Sequence, residues 1–417
     1  MAISCGIDFG TSNSSVAIAQ HDQVILVPVE KTHITIPSAI FIPPQGYNPI
    51  YGRAAVKMFF DRQEGRFMRS LKRVLGTPLM KHGTQVNGKP LKFEKIIASF
   101  IQNLKERANI LAKEEIENVV MGRPVHFVDN DKDADHRAQE ELTSIAQRIG
   151  YKHVEFQFEP IAAAFAHEVN IKGEKLAIVA DLGGGTSDFT VIRLSSQYAA
   201  KADRAEDILA NTGVRVGGND FDKDLALSSI MPELGYLSTY GKKNLEVPLK
   251  YYHDLAEWSK VNLLYSPKVL SQVRQFFHES HDKRRFGRLL KLLEQERGHS
   301  LLSTAEDTKI ALTTRADHTA SFDFLEKDFA IPISRKQFED AIQHEVGKIS
   351  KAATECLLKS GIKADKIDLV ILTGGSTEVP LVQLAFKKLF PQAAVADENK
   401  LSSVGIGLAY DSRKKFR

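Results

Sequence analysis

Asp8, Gly10, Thr11, Ser12 and Asn13 lie together near the start of the chain, in Gly6-Ile7-Asp8-Phe9-Gly10-Thr11-Ser12-Asn13-Ser14. A carboxylate, a glycine and a run of hydroxyl and amide groups are the residue types that hold a phosphate and its counter-ion. Gly10 lets backbone approach a ligand without a Cβ. Thr11, Ser12, Asn13 and the loop N–H groups can donate to phosphate oxygens. Asp8 suits a hydrated magnesium ion, which takes oxygen ligands and keeps several waters. The pattern returns as Asp181-Leu182-Gly183-Gly184-Gly185-Thr186-Ser187-Asp188, between two apolar runs. A third apolar run, 369–372, leads into Thr373-Gly374-Gly375-Ser376-Thr377. Strand-Asp-x-Gly-Thr also occurs in ordinary hairpins, so three unrelated hairpins is the rival reading. The repetition favours a duplicated α/β domain closing on one nucleotide.

Such loops need strands behind them and helices beside them. Apolar runs of strand length alternate with 3.6-periodic segments along the whole chain, which predicts an α/β protein with mostly parallel sheets. Residues 2–42 read as a hairpin and a third strand, and 52–75 as a helical pattern holding the basic cluster Arg69-Ser70-Leu71-Lys72-Arg73. Residues 84–92 read as a hairpin turning at Asn87-Gly88. Helices are predicted over 93–113, 134–149 and from Pro160 to Glu168, with Pro160 in a first turn. Val119-Val120-Met121 starts a core strand that Pro124 ends or interrupts. A long helix is expected after Asp220, and 240–310 is mainly helical and strongly charged. Its segment 281–296 is basic and amphipathic, so either it meets an acidic partner or it is a solvated helix packed on one face. The basic end, Arg413-Lys414-Lys415-Phe416-Arg417, reads as a frayed terminus.

Composition narrows the class. The chain has 417 residues, 43% apolar and 26% charged, which is ordinary for soluble globular proteins and too long for one core. A net charge of +4 is too small for this size to argue for nucleic acid. Cys5 and Cys356 are far apart in sequence and form no disulfide framework, and the thirteen histidines form no metal-spaced set. No apolar run approaches membrane-spanning length, and the start carries no leader pattern, so a cytoplasmic protein is expected.

Seven motifs taken in order resemble the ATPase domain of the heat-shock protein 70 (DnaK-like) family: residues 6–14, Leu71-Lys72-Arg73-Val74-Leu75-Gly76, Glu159-Pro160-Ile161-Ala162-Ala163-Ala164, residues 181–191, Gly217-Gly218-Asn219-Asp220-Phe221-Asp222, residues 306–313, and Gly374-Gly375-Ser376-Thr377-Glu378-Val379-Pro380. Length and the segment Arg123-Pro124-Val125-His126-Phe127 are similar to the short bacterial, YegD-like members. The resemblance implies a duplicated actin-like ATPase (ribonuclease H-like) fold, two lobes around a nucleotide cleft. Lobe I would be 1–170 with 395–417 packing back on it, and lobe II 171–394 with a helical subdomain at about 222–318. ATP or ADP and Mg2+ are the implied cofactors. By position, Asp8 and Asp181 would hold the hydrated magnesium. Gly10, Thr11, Ser12 and Asn13 would bind phosphates from the first lobe, and Gly183, Gly184, Gly185 and Thr186 from the second. Lys72 would reach the γ-phosphate. Glu159 and Asp188 would orient the attacking water, completing a catalytic set of Lys72, Glu159, Asp181, Thr186 and Asp188. Glu306, Lys309 and Thr313 would contact adenosine, with Gly218, Gly374 and Gly375 leaving room and Glu378 beside it. Pro124 and Arg137 fall where the family has an interlobe relay.

Three departures qualify the expectation. Glu378 stands where the family has an arginine over the adenine, and a carboxylate cannot stack on a base face. The acidic residue of the last motif is missing near Leu401-Ser402-Ser403-Val404, with Asp397 and Glu398 a little earlier. No segment for the family's peptide-gripping β-sandwich is seen. The leading expectation is a slow, magnesium-dependent ATPase, chaperone-like without a peptide-binding domain, read by a protein partner or co-chaperone and binding neither nucleic acid nor membrane. A nucleotide-gated binding or assembly module, and a small-molecule kinase of the same superfamily, stay open. The P-loop pattern is absent.

Overall fold

Ser4–Phe9 is buried at every position except Asp8, as befits a strand covered on both faces. It is the centre of a six-stranded sheet. Asn13–Gln20 and then Gln23–Leu26 pair antiparallel on one side, and Asn118–Arg123 and then His153–Phe158 pair parallel on the other. The short strand Ile36–Pro37 pairs with Asn13–Gln20. The computed structural model describes residues 3–21, 23–44, 48–61, 63–81, 83–86, 89–128, 131–168, 171–198, 204–258, 260–396 and 402–416.

Glu174–Leu182 is the centre of a five-stranded sheet built to the same plan. Ser187–Ser195 and Ile208–Val214 pair antiparallel on one side, Leu369–Thr373 and Ala394–Ala396 parallel on the other. The helices follow the plan too. Phe93–Ala112 and Arg335–Ser360 precede the inner parallel strands, Lys132–Arg148 and Pro380–Leu389 precede the outer ones, and Glu159–Glu168 and Ser403–Lys415 follow them. Five strands and three helices of one half thus repeat in the other.

Local chemistry explains these elements. Phe93–Ala112 buries Ile96, Ile97, Phe100, Ile101, Leu104 and Ala108 along one face, each large side chain contributing about 1.5–3 kcal/mol relative to exposure. Asp131 caps Lys132–Arg148 by accepting the Ala134 N–H at 2.9 Å. Glu159–Glu168 opens with Pro160 and is lined by buried Ala162, Ala163 and Ala164. Those small side chains let Ser403–Lys415 come very close. A Cβ on Gly407 would stand 1.6 Å from the Ala162 carbonyl oxygen, and one on Gly6 2.4 Å from the Ala409 nitrogen. The carboxyl-terminal helix is therefore wedged against both Ser4–Phe9 and Glu159–Glu168.

By packing, the chain divides into two compact units. The first, Met1–Arg215, Ile349–Thr377 and Phe386–Arg417, holds both sheets. The second, Val216–Lys348 and Glu378–Ala385, is mainly helical. In it, Lys283–Glu294 buries Phe286, Leu289, Leu292 and Leu293. Its arginines are taken up by the unit's own acids: Arg284 by Glu326, Arg285 by Glu233, and Arg288 by Glu233 and Glu326. The basic segment is thus a packed helix whose arginines are paired within the unit. Among the described residues no helix is long and apolar enough to cross a membrane.

Several expectations change. Neither sheet is mostly parallel: each begins as a three-stranded antiparallel meander, which a reading of strand–helix alternation misses. The third glycine element is not a third copy of the phosphate hairpin, because Leu369–Thr373 is a neighbour strand within the second sheet. Residues 52–75 hold the helix Gly52–Phe60, the strand Arg66–Arg69 and the 3₁₀ turn Leu71–Val74. The helix after Asp220 stops at Leu225 and continues as a π turn and a 3₁₀ turn. Thr84–Val86 and Lys89–Leu91 do pair, while Asn87-Gly88 lie outside the described residues. The basic tail is helical to Lys415, whose Nζ donates to the Phe156 carbonyl at 2.9 Å and pairs with Asp411 at 3.1 Å.

Candidate functional site

Asp8 and Asp181 are each the penultimate residue of a central strand, so the repeat delivers both to one end of the first unit. Each strand then breaks into its loop. At Gly10 the turn is so tight that a Cβ would stand 2.1 Å from the Asn13 carbonyl oxygen. Thr11 and Ser12 are half-buried and Asn13 is exposed at the tip. Ser38 holds this loop: its Oγ donates to the Gly10 carbonyl at 2.7 Å and its N–H to the Ser12 carbonyl at 2.8 Å. The Ser38 carbonyl in turn accepts the Ser70 N–H at 3.2 Å. Ser70 has φ +58° and starts the turn that carries Lys72. One buried serine therefore ties the first loop to the lysine.

The second loop is closed by the Gly183 N–H donating to the Thr186 carbonyl at 2.9 Å, and steadied by Ser376 Oγ donating to the Gly183 carbonyl at 2.9 Å. Gly184, Gly185 and Thr186 are half-buried. Gly374 has φ +85°, and a Cβ there would stand 2.3 Å from the Leu182 carbonyl oxygen. Only glycine fits that contact and that dihedral. Gly375 is exposed beside it. Thr373, opposite Asp181 in the register, shares a 3.0 Å hydroxyl contact with Ser403. Ser402 and Ser403 thus occupy the helix start where the motif would carry an acid, and Asp397, Glu398 and Leu401 lie outside the described residues.

The charges converge in the first unit. Lys72 forms a buried ion pair with Glu159. Neighbouring strands make room for the acids. A Cβ on Gly122 would stand 3.1 Å from Glu159 Cγ, and one on Gly213 2.8 Å from Asp188 Oδ1. Burial, then the Glu159 carboxylate, pushes Asp8 well above the usual carboxylate range, and Asp181 adds to it. Burial, then Glu159 and Asp188, pushes Asp181 up to about 8. Burial alone would lower Lys72, but Glu159, Asp8 and Asp181 outweigh it and hold the ammonium above its ordinary value. Asp8, Asp181, Asp188 and Glu159 thus share a site with Lys72 and are short of positive charge. The all-oxygen donor set and this deficit fit magnesium. No three acids, histidines or cysteines among the described residues form a direct chelating group.

The second unit holds the other expected residues. Lys309 and Gly218 come together, the Lys309 Nζ donating to the Gly218 carbonyl at 3.2 Å. Lys309 pairs with Asp222 at 2.8 Å. Glu306 and Thr313 lie on the same helix, Gly298–Thr314, and Thr313 Oγ1 donates to the Ile310 carbonyl at 2.7 Å. Glu378 is exposed at the end of the 3₁₀ turn Gly375–Glu378. Arg137 is exposed, whereas Arg123 binds the Pro124 carbonyl at 3.2 Å and Asp135 at 2.6 Å. Sequence reasoning missed Ser38, Gly122 and Gly213, which act through partners distant in sequence and carry no local signal; Ser376 and Asp222 stand in quoted motifs but were given no role.

Two sheets of identical strand order, each ending its central strand in an aspartate and a glycine-hydroxyl loop, define a duplicated, two-lobed α/β nucleotide-binding protein of the actin-like ATPase class. The family model described as Hsp70 protein matches residues 4–236 and 272–413. The chain belongs to the Hsp70 family, ATP-binding ATPases of the chaperone type whose members bind ATP and ADP.

Proposed function

We propose that this protein is a magnesium-dependent, slow ATPase releasing ADP and phosphate, with lobes at 1–170 plus 395–417 and at 171–394. The observation that carries the reading is the gathering of Lys72, Glu159, Asp8, Asp181 and Asp188 beside two glycine-hydroxyl loops. Phosphoryl transfer passes through a loose transition state that needs positioning and charge neutralisation more than covalent help. Gly10, Thr11, Ser12 and Asn13 bind phosphate oxygens on one side, and Gly183, Gly184, Gly185 and Thr186 on the other. Lys72 neutralises the terminal phosphate. Glu159, held by Lys72, and Asp188 orient the attacking water and receive its proton. Asp8 and Asp181 would hold the hydrated magnesium, which supplies charge on the phosphates when bound. Gly218, Glu306, Lys309, Thr313 and Glu378 of the second unit serve the adenosine. A cytoplasmic location and a co-chaperone that reads the nucleotide state complete the reading.

Titration calorimetry of nucleotide-free protein with ATP and magnesium, followed by phosphate release on the same sample, tests it. Binding and slow release are expected, with release lost in Lys72→Ala and Asp181→Asn. Binding without release would replace the ATPase with a nucleotide-gated module, and no binding would end the proposal.

A further inference from the structure

Arg73 follows Lys72 in the 3₁₀ turn Leu71–Val74. With three residues per turn, successive side chains point about 120° apart. Lys72 is turned inward to Glu159, and Arg73 is exposed and turned toward the second loop. A Cβ built on Gly185 would stand 3.9 Å from both Cζ and Nη1 of Arg73. Chain neighbours aside, no other atom of the described residues lies within 4 Å of that point. The guanidinium therefore lies over the middle of the glycine loop, at van der Waals distance from that point. Three buried or half-buried arginines of this chain are held by acids, Arg123 by Asp135, Arg204 by Glu168 and Asp207, and Arg288 by Glu233 and Glu326. Among the described residues Arg73 has no such partner.

The root of this side chain is fixed. The Arg73 N–H donates to the Ser70 carbonyl at 3.1 Å, Ser70 hangs on Ser38, and Ser38 grips the Gly10 loop. Leu71 and Leu75 are buried on either side. Lys72 and Arg73 have Cα atoms only about 3.8 Å apart, yet one serves the carboxylate side and the other the loop side. An anion on the Gly183–Thr186 loop that Lys72 touches is within the sphere of both. A guanidinium fork matches phosphate oxygens two at a time, which an ammonium cannot do.

We propose that Arg73 is a second cationic ligand of the terminal phosphate, and that it sets the preference for a nucleoside triphosphate over the diphosphate. The proposal rests on the reading of the Lys72 site as an ATP site. Calorimetric titration of wild type, Arg73→Ala and Arg73→Lys with ATP·Mg and with ADP·Mg tests it. Loss of a hydrogen-bonded charge pair is expected to weaken ATP·Mg binding roughly tenfold in Arg73→Ala. ADP·Mg binding should change by less than about twofold, and Arg73→Lys should recover only part of the loss because it lacks the fork. The nucleotide-free variants should melt with wild type, since the side chain is exposed. Unchanged ATP affinity, or equal losses for both nucleotides, overturns the role of Arg73 and leaves the ATP site standing. Absence of nucleotide binding in wild type overturns both.

Discussion

Lys72 is buried among carboxylates that outnumber it, and this has thermodynamic consequences before any ligand binds. The folded-state value of Asp181 is raised to about 8 from 3.8, and that of Asp8 is raised in the same direction. Between the unfolded and folded values the folded chain holds more protons, so stability falls as pH rises through that window. Nucleotide-free protein should need less urea to unfold at pH 8.5 than at pH 5, and Asp181→Asn should flatten that slope. Every tenfold tightening of proton binding on folding is linked to about 1.4 kcal/mol, so the variant should be more stable than wild type at pH 8.5 by a few kcal/mol while losing phosphate release. Lys72→Ala has the opposite sign. Removing one partner of a buried pair costs about 3–5 kcal/mol, and the loss should shrink at pH 5, where Asp8 and Asp181 hold protons. Urea melts at the two pH values distinguish these outcomes. Asp8, Lys72, Glu159 and Asp181 were legible in the sequence because each sits in a local pattern of glycines, hydroxyls or proline. Ser38 and the glycines at 122 and 213 were not, because their meaning lies in what stands opposite them in the fold.

At the scale of elements, helix against helix is the tightest fit. Gly407 meets the Ala162 backbone with no room for a methyl group, so the two helices touch main chain to main chain. Gly407→Ala should destabilise by about 1–3 kcal/mol, and Gly407→Val by more, with thermal melts and soluble yield as the readout. Strand and helix positions were largely legible, since apolar runs and 3.6-periodic faces mark them locally. Strand direction was not. In the meanders Ser4–Phe9, Asn13–Gln20, Gln23–Leu26 and Glu174–Leu182, Ser187–Ser195, Ile208–Val214 the chain reverses without a crossover helix, which periodicity does not register. The end of the chain misled for a related reason: a basic run looks solvated until Asp411 and the Phe156 carbonyl are placed beside Lys415.

At the scale of the molecule, the site belongs to the folded chain and not to the unfolded one, so a ligand that fills it stabilises the whole. ATP·Mg at one hundred times its dissociation constant should raise the unfolding free energy by about 2.7 kcal/mol. The shift should be absent in Asp181→Asn, and scanning fluorimetry over a concentration series measures it. Doubling a half-molecule has one more effect. Two equivalent seats, one per copy, would by themselves let a ligand lie head-first or tail-first. In the strand register Asp8 faces Ser15, but Asp181 faces Asp188. One copy thus keeps a hydroxyl where the other has acquired an acid. That divergence helps to remove the ambiguity and to give an otherwise twofold device a direction.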